Sequence, residues 1–161
     1  MQNIQRITPF LWFDNQSEDA ANFYVSIFKN SKVNKITYYG EAGPGPKGSV
    51  MTVSFELDGQ GFVALNGGTP SKFTESISFV VNCNTQQEVD EYWEKLSTEG
   101  GQKIQCGWLR DKYGLSWQIT PIVLYEMICD PNPKKSQQVF EAMLQMEKID
   151  IEKIEQAYYM Q

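Results

Sequence analysis

Three side chains within one short stretch are placed to do chemistry: the thiol of Cys106, the carboxyl of Asp111 and the amide of Gln118. They lie in Cys106–Pro121, CGWLRDKYGLSWQITP, together with the indoles of Trp108 and Trp117. Cys106 becomes a nucleophile if the cations Arg110 or Lys112 lower its pKa, and is otherwise an inert, buried thiol. Asp111 suits acid–base work, or the simpler task of capping a turn through its own backbone. Gln118 stands between Trp117 and Ile119 on an apolar run. A buried amide there needs partners, and orienting a ligand is one way to find them. The two tryptophans can wall a pocket or fill a core. The catalytic candidates are therefore Cys106, Asp111 and Gln118. The chain contains no histidine, which removes the Ser-His-Asp triad, the Cys-His dyad and imidazole metal sites.

These residues need a hairpin to hold them. Gly107–Arg110 and Leu115–Thr120 read as strands around the turn Asp111-Lys112-Tyr113-Gly114, where Gly114 permits positive φ. Upstream, Ile4–Phe13 reads as a strand ending in Trp12 and Phe13, with Pro9 a caution because it has no N–H for a ladder. Ser17 suits the cap of a first helix with Glu18 and Asp19 in its first turn and Ala20, Phe23, Tyr24, Ile27 and Phe28 at helical spacing. Val33–Tyr39 is a strand candidate. Gly40–Gly48 reads as a loop, either a surface loop or a lid. Met51, Val53, Phe55 and Leu57 alternate with polar residues, Asp58-Gly59 predicts a tight hairpin, and Phe62–Leu65 returns. Asn66 comes next, a turn residue or a ligand-orienting amide. Trp12, Asn66, Trp108, Trp117 and Gln118 together make the candidate ligand pocket.

A second pass of the same pattern begins at Ile77–Val81. Thr85 with Glu88 forms a capping box for a helix striped by Val89, Tyr92, Trp93 and Leu96. Gly100-Gly101 ends it, and Lys103–Gln105 precedes the hairpin. A duplicated strand–helix–strand–strand–strand unit is the simplest explanation. The modules run approximately over 4–66 and 76–120, within a paired domain over 1–130. Residues 131–161 form a helical tail, in which Asp150 caps the last helix and Ile149 with Ile154 makes a hydrophobic staple. Its apolar stripes need cover, from this domain or from a second subunit, and we expect a homodimer.

At 161 residues the chain suits one domain or two small halves. Its net charge of −6 argues against nucleic acid as a partner. No run approaches the roughly 20 apolar residues of a membrane span, and no secretory signal opens the sequence, so the cytoplasm is expected. Cys83, Cys106 and Cys129 are odd in number and widely spaced, which fits reduced thiols rather than disulfides or zinc.

The paired modules, the aromatic pair Phe23-Tyr24 and the Asp111-x-x-Gly114-x-x-Trp117-Gln118 hairpin resemble the vicinal-oxygen-chelate superfamily, which includes glyoxalases, bleomycin resistance proteins and dioxygenases. Within it the chain is similar to the PhnB-like, 3-demethylubiquinone-9 3-methyltransferase-like group. The similarity rests on ITPFLWF (7–13), EVDEYW (88–93), CGWLRD (106–111) and SWQI (116–119), and extends into EAMLQM (141–146) and KID (148–150). It implies an α+β fold, two glyoxalase-like βαβββ modules whose curved sheets enclose small-molecule pockets, commonly as dimers. Metal-using members hold a divalent ion through His, Glu or Gln. Here the corresponding places hold Ile7 or Thr8, Phe62–Leu65, Ser76 or Ile77, and Gln118, of which Gln118 alone can coordinate. The expectation is no metal and no cofactor, since no glycine-rich strand-to-helix turn is present to hold a nucleotide. The resemblance and the missing ligands together imply a small-molecule-binding protein of unknown ligand. The rival readings are a metal-independent enzyme acting on a small metabolite, and a structural or regulatory dimeric protein.

Overall fold

The structure, a computed structural model, describes residues 5–69 and 71–160. Ile4, the expected start of the first strand, lies outside them. The chain divides into two compact units, Met1–Lys72 and Phe73–Gln161.

The first unit runs β1 (Phe10–Phe13), α1 (Ser17–Ile27), β2 (Lys32–Tyr38), β3 (Val50–Leu57) and β4 (Gln60–Asn66). Its sheet has the order β1-β4-β3-β2, with β1 parallel to β4 and the other pairs antiparallel. β1 is shorter than the expected Ile4–Phe13, beginning just after Pro9. Ahead of it, the Gln5 side chain does what a strand residue would do. Its Oε1 accepts from the Gly61 N–H at 3.0 Å and its Nε2 donates to the Gly61 carbonyl at 3.2 Å.

Helix spacing and strand alternation meet in one apolar layer. Ala20, Tyr24 and Ile27 of α1 are buried, as are Val53, Phe55 and Leu57 of β3. The rings of Tyr24, Phe55 and Phe62 stack in series, with centroids 6.3 and 5.5 Å apart. Each such side chain contributes about 1.5–3 kcal/mol relative to exposure. The expected tight hairpin is present: Asp58 and Gly59 both take positive φ, 46° and 80°, as a two-residue primed turn requires.

One expectation about α1 is corrected. Gln16, without a side-chain bond, occupies the N-cap, and Ser17 is the first helical residue. The Ser17 N–H is met from across the fold, by Asn66 Oδ1 at 2.8 Å. Parallel pairing sets Phe13 opposite Asn66, so the amide lies where the chain enters the helix.

The second unit repeats the topology with β5 (Ser78–Cys83), α2 (Gln86–Leu96), β6 (Gln102–Lys103), β7 (Trp108–Arg110) and β8 (Ser116–Pro121), in the order β5-β8-β7-β6. Thr85 Oγ1 accepts from the Glu88 N–H at 3.2 Å, as the capping box predicts, and Glu88 Oε2 reaches back one residue beyond the cap, to the Asn84 N–H at 2.7 Å. Val89, Trp93 and Leu96 are buried with Leu109, Trp117 and Ile119.

Beyond β8 come α3 (Ile122–Ile128), ahead of the expected tail, and α4 (Pro133–Leu144) and α5 (Ile151–Tyr159) within it. Asn132 caps α4 ahead of Pro133, and Asp150 Oδ1 accepts from the Lys153 N–H at 3.2 Å at the start of α5. The staple residues Ile149 and Ile154 are buried in one cluster with Leu124, Met127 and Val139. The tail is tied to the rest of its unit through backbone. Cys106 N–H donates to the Met146 carbonyl and Gly107 N–H to the Glu147 carbonyl, both at 2.7 Å. Gln86 Oε1 takes the Ile151 N–H at 2.8 Å, and its Nε2 donates to the Ile149 carbonyl at 3.1 Å. Val139, Met143, Ile154 and Tyr158 of the tail's apolar stripes are thus covered within this unit, while Phe140 and Leu144 stay exposed. No helix among the described residues is long and apolar enough to cross a membrane.

Candidate functional site

A cleft of about 500 Å³ opens in the first unit where β1 runs into α1. Asn66, Gly67 and Gly68 form one wall, and Tyr39 with Pro44–Pro46, Ser49 and Val50 the other. Asp14, Glu18 and Asp19 stand at its edge, and no lysine or arginine is among the described residues that line it. The same acids that match the positive end of the α1 dipole therefore give the cleft a negative potential.

The walls are held by specific bonds. The Tyr39 hydroxyl donates to the Asn66 carbonyl at 2.5 Å, and Asn66 Nδ2 donates to the Val50 carbonyl at 3.1 Å. Trp12 lies on the adjoining turn: its indole N–H donates to the Gly68 carbonyl at 2.8 Å. A Cβ at Gly67 would come 2.2 Å from the Trp12 ring, so the bare backbone is what lets the indole lie flat. Trp12 and Asn66 shape the cleft rather than reach into it with free polar atoms. The segment Gly40–Gly48, read as loop or lid, is folded onto the Tyr39 ring. A Cβ at Gly45 would meet that ring at 2.4 Å, and the loop is pinned by Gly48 N–H to the Tyr39 carbonyl at 2.8 Å.

The hairpin of the second unit separates the other candidates. Register pairs Trp108 with Gln118 and Leu109 with Trp117. Trp108 and Gln118 therefore share the face turned away from α2, and Trp117 is on the other. Trp117 is 3% exposed and packs on Phe79 at 5.6 Å between centroids. Its indole N–H donates to Asp111 Oδ2 at 2.8 Å, while Asp111 Oδ1 takes the N–H groups of Tyr113 and Leu115 at 2.9 and 3.1 Å. The Asp111 carboxylate thus caps the turn and anchors the indole. Gln118 is half-buried, and its Nε2 donates to Ser78 Oγ at 2.9 Å. Cys106 stands apart from both, at the tight turn before β7, with φ of 61°. Of the other thiols, burial, aided by the Glu88 charge, pushes Cys83 up to about 12.

The donor set does not suit a divalent ion. Among the described residues no three His, Cys, Asp or Glu side chains gather where an ion could be held. Thr8 gives its hydroxyl to the Gln5 carbonyl at 3.3 Å, and Gln118 offers one neutral amide oxygen. Nor do the residues fit a nucleotide cofactor: the β1–α1 turn Asp14-Asn15-Gln16 and the β5–α2 turn Asn84-Thr85 contain no glycine.

Sequence reasoning passed over Tyr39, Ser49 and Val50, and treated the acids at the start of α1 only as dipole partners. A usable signal was present: an aromatic residue directly before a glycine- and proline-rich segment, with three acids in Asp14–Asp19.

Two βαβββ modules of one topology with helices after them define a glyoxalase-like protein, and comparison with known proteins gives the family. Residues 5–120 match the family model described as 3-demethylubiquinone-9 3-methyltransferase. Among solved structures the chain is similar to a putative 3-demethylubiquinone-9 3-methyltransferase, PhnB protein, from Bacillus cereus. That match has 38% identity over 73% of this chain and 99% of that one, with a TM-score of 0.66. A protein from Pseudomonas aeruginosa shares the fold at 18% identity, over 73% of this chain and 98% of that one, with a TM-score of 0.60. No curated protein matches the sequence. The chain belongs to the 3-demethylubiquinone-9 3-methyltransferase family, the PhnB-like group of the vicinal-oxygen-chelate superfamily. The family match ends at Thr120, so α3–α5 lie beyond it, whereas the sequence motifs carried the resemblance into the tail.

Proposed function

We propose that this protein binds a small molecule without a divalent metal, and that the cleft beside Asn66 is where it does so. The observation that carries this reading is the cleft itself. At about 500 Å³ it has the size of a small-molecule pocket, and its walls are braced by Tyr39, Asn66 and Trp12. The acids at its edge favour a neutral or positively charged ligand bearing hydrogen-bond donors. No metal step enters, because the donors for one are not gathered. The three thiols are unpaired, which suits the cytoplasm. A homodimer belongs to the same proposal: Phe140, Leu144 and Tyr159 of the tail leave apolar surface exposed.

The test is a thermal-shift and calorimetric screen of small metabolites, run with and without a chelator. A ligand that stabilises the protein equally in both conditions, and no longer does so in the cleft-filling variant Ser49→Phe, supports the reading. Binding that needs an added divalent metal, or that survives in Ser49→Phe, overturns it. Sedimentation analysis of the intact chain decides the dimer.

A further inference from the structure

The face of the second sheet turned away from α2 carries two buried hydrogen-bond donors with nothing to donate to. Arg110 on β7 pairs in register with Ser116 on β8, which pairs with Ser78 on β5. One step along the same face, Trp108, Gln118 and Val80 form the next row. Ser116 is 1% exposed and its hydroxyl has no partner. The Nε–H of Arg110 is likewise buried and unpartnered. The outer nitrogens of the same guanidinium are only loosely held, Nη2 to Glu75 at 3.3 Å and Nη1 to Gln102 at 3.5 Å.

Buried donors normally find an acceptor, and two orphans in register on one face share the same lack. We propose that this row is a carboxylate subsite. A carboxylate oxygen of a small organic acid accepts from Arg110 Nε–H and Ser116 Oγ–H. The second N–H of the Gln118 amide is beside it, and the Trp108 indole flanks the body of the ligand. Charge selects the class. One guanidinium, loosely shared with the exposed Glu75, offers at most a single positive charge, which suits a monoanion better than a phosphate dianion. The guanidinium's contact with Glu75 shows that it takes a carboxylate in this setting. An aromatic acid fits best, because Trp108 and the half-exposed Val80 in the next row offer flat and apolar surface beside the subsite.

The site shares no residue with the cleft of the first unit, so the two proposals fail separately. The test uses benzoate as probe, with benzamide and inorganic phosphate as controls, read by tryptophan fluorescence and ligand-observed NMR on the intact chain. Saturable binding of benzoate, at least tenfold weaker for benzamide and for phosphate, is expected. Ser116→Ala and Arg110→Lys should each weaken benzoate about tenfold while Ser49→Phe leaves it unchanged. The lysine variant keeps the charge and lacks the Nε–H, which separates the directed bond from a general cation effect. Circular dichroism confirms that each variant is folded, and crystals soaked in benzoate give a readout on the unaltered chain. Equal binding of the three probes overturns the proposal, as does unchanged affinity in folded Arg110→Lys and Ser116→Ala. A water alone bridging the two donors in benzoate-soaked crystals overturns it too.

Discussion

Asp111 Oδ2 accepts the indole N–H of Trp117 at 2.8 Å, on side chains that are both 3% exposed. The same carboxylate closes the turn ahead of β8, so one residue fixes the shape of the hairpin and the seat of its largest core side chain. Asp111→Asn is therefore expected to cost nearly as much as Asp111→Ala. An amide can keep the Tyr113 and Leu115 N–H groups on its oxygen, but then points its own N–H at the indole. Both variants should lose at least about 2 kcal/mol in urea unfolding, since buried donors are left unpaired. A loss below about 0.5 kcal/mol for Asp111→Asn would show that the carboxylate is not the anchor.

Asn66 joins the end of β4 to the start of α1, with Oδ1 on the Ser17 N–H and Nδ2 on the Val50 carbonyl. Asn66→Ala removes both bonds and is expected to lose about 1–2 kcal/mol, the scale of a lost helix cap. Asn66→Asp keeps the cap acceptor but turns a carboxylate oxygen toward the Val50 carbonyl beside the acids of the cleft, so it should lose at least as much as alanine. Paired denaturation curves of the two variants measure the order.

The carboxyl of Asp90 is held below the usual aspartate range, chiefly by its bond to Lys148 at 2.6 Å and then by Gln86 Nε2 at 3.0 Å. A group lowered in the folded state adds stability above its unfolded value near about 3.9, and that stability is lost as pH falls through the folded value. Asp90→Asn should be less stable at pH 7, by under about 1 kcal/mol because the pair is half-exposed. The difference from wild type should shrink toward zero by about pH 2. Urea midpoints at the two pH values check the sign, and a gap that widens on acidification would reverse it.

Gly107 is where the tail meets the hairpin. Its φ is 79°, and an added Cβ would lie 2.8 Å from the Ile119 carbonyl oxygen and 3.0 Å from Ile149 Cγ1. Gly107→Ala should cost about 2–4 kcal/mol through strain and overpacking together. Hydrogen exchange should report the damage first at α5, whose seat Ile149 helps to form. Uniform loss of protection, with α5 unaffected relative to α2, would place the strain elsewhere.

Local patterns that depend on adjacent residues were legible along the chain. The Asp58-Gly59 turn, the Thr85–Glu88 capping box, the Asp150 cap with its Ile149–Ile154 staple and the Asp111–Gly114 reversal are all present where spacing predicts them. Each is decided by bonds spanning a few residues. Less legible were pairs made by register. That Trp117 faces α2 while Trp108 shares a face with Gln118 depends on how β7 and β8 align, and a shift of one residue would exchange them.

Residue order alone determined the two-module α+β plan, because period-two strands, an apolar helix stripe and turn residues recur in the same succession in each half. It also determined that no imidazole takes part in any chemistry, since the chain has none. Only the tertiary structure decided which polar groups are committed and which are left over. Asp111 is consumed within its own hairpin and Asn66 by the Ser17 N–H, 49 residues away in sequence, while Ser116 Oγ and Arg110 Nε are left buried without a partner. The physical reason is that a hydrogen bond is set by distance and direction between atoms far apart in sequence. Residue types state what each group can donate or accept, and the fold decides what comes within reach.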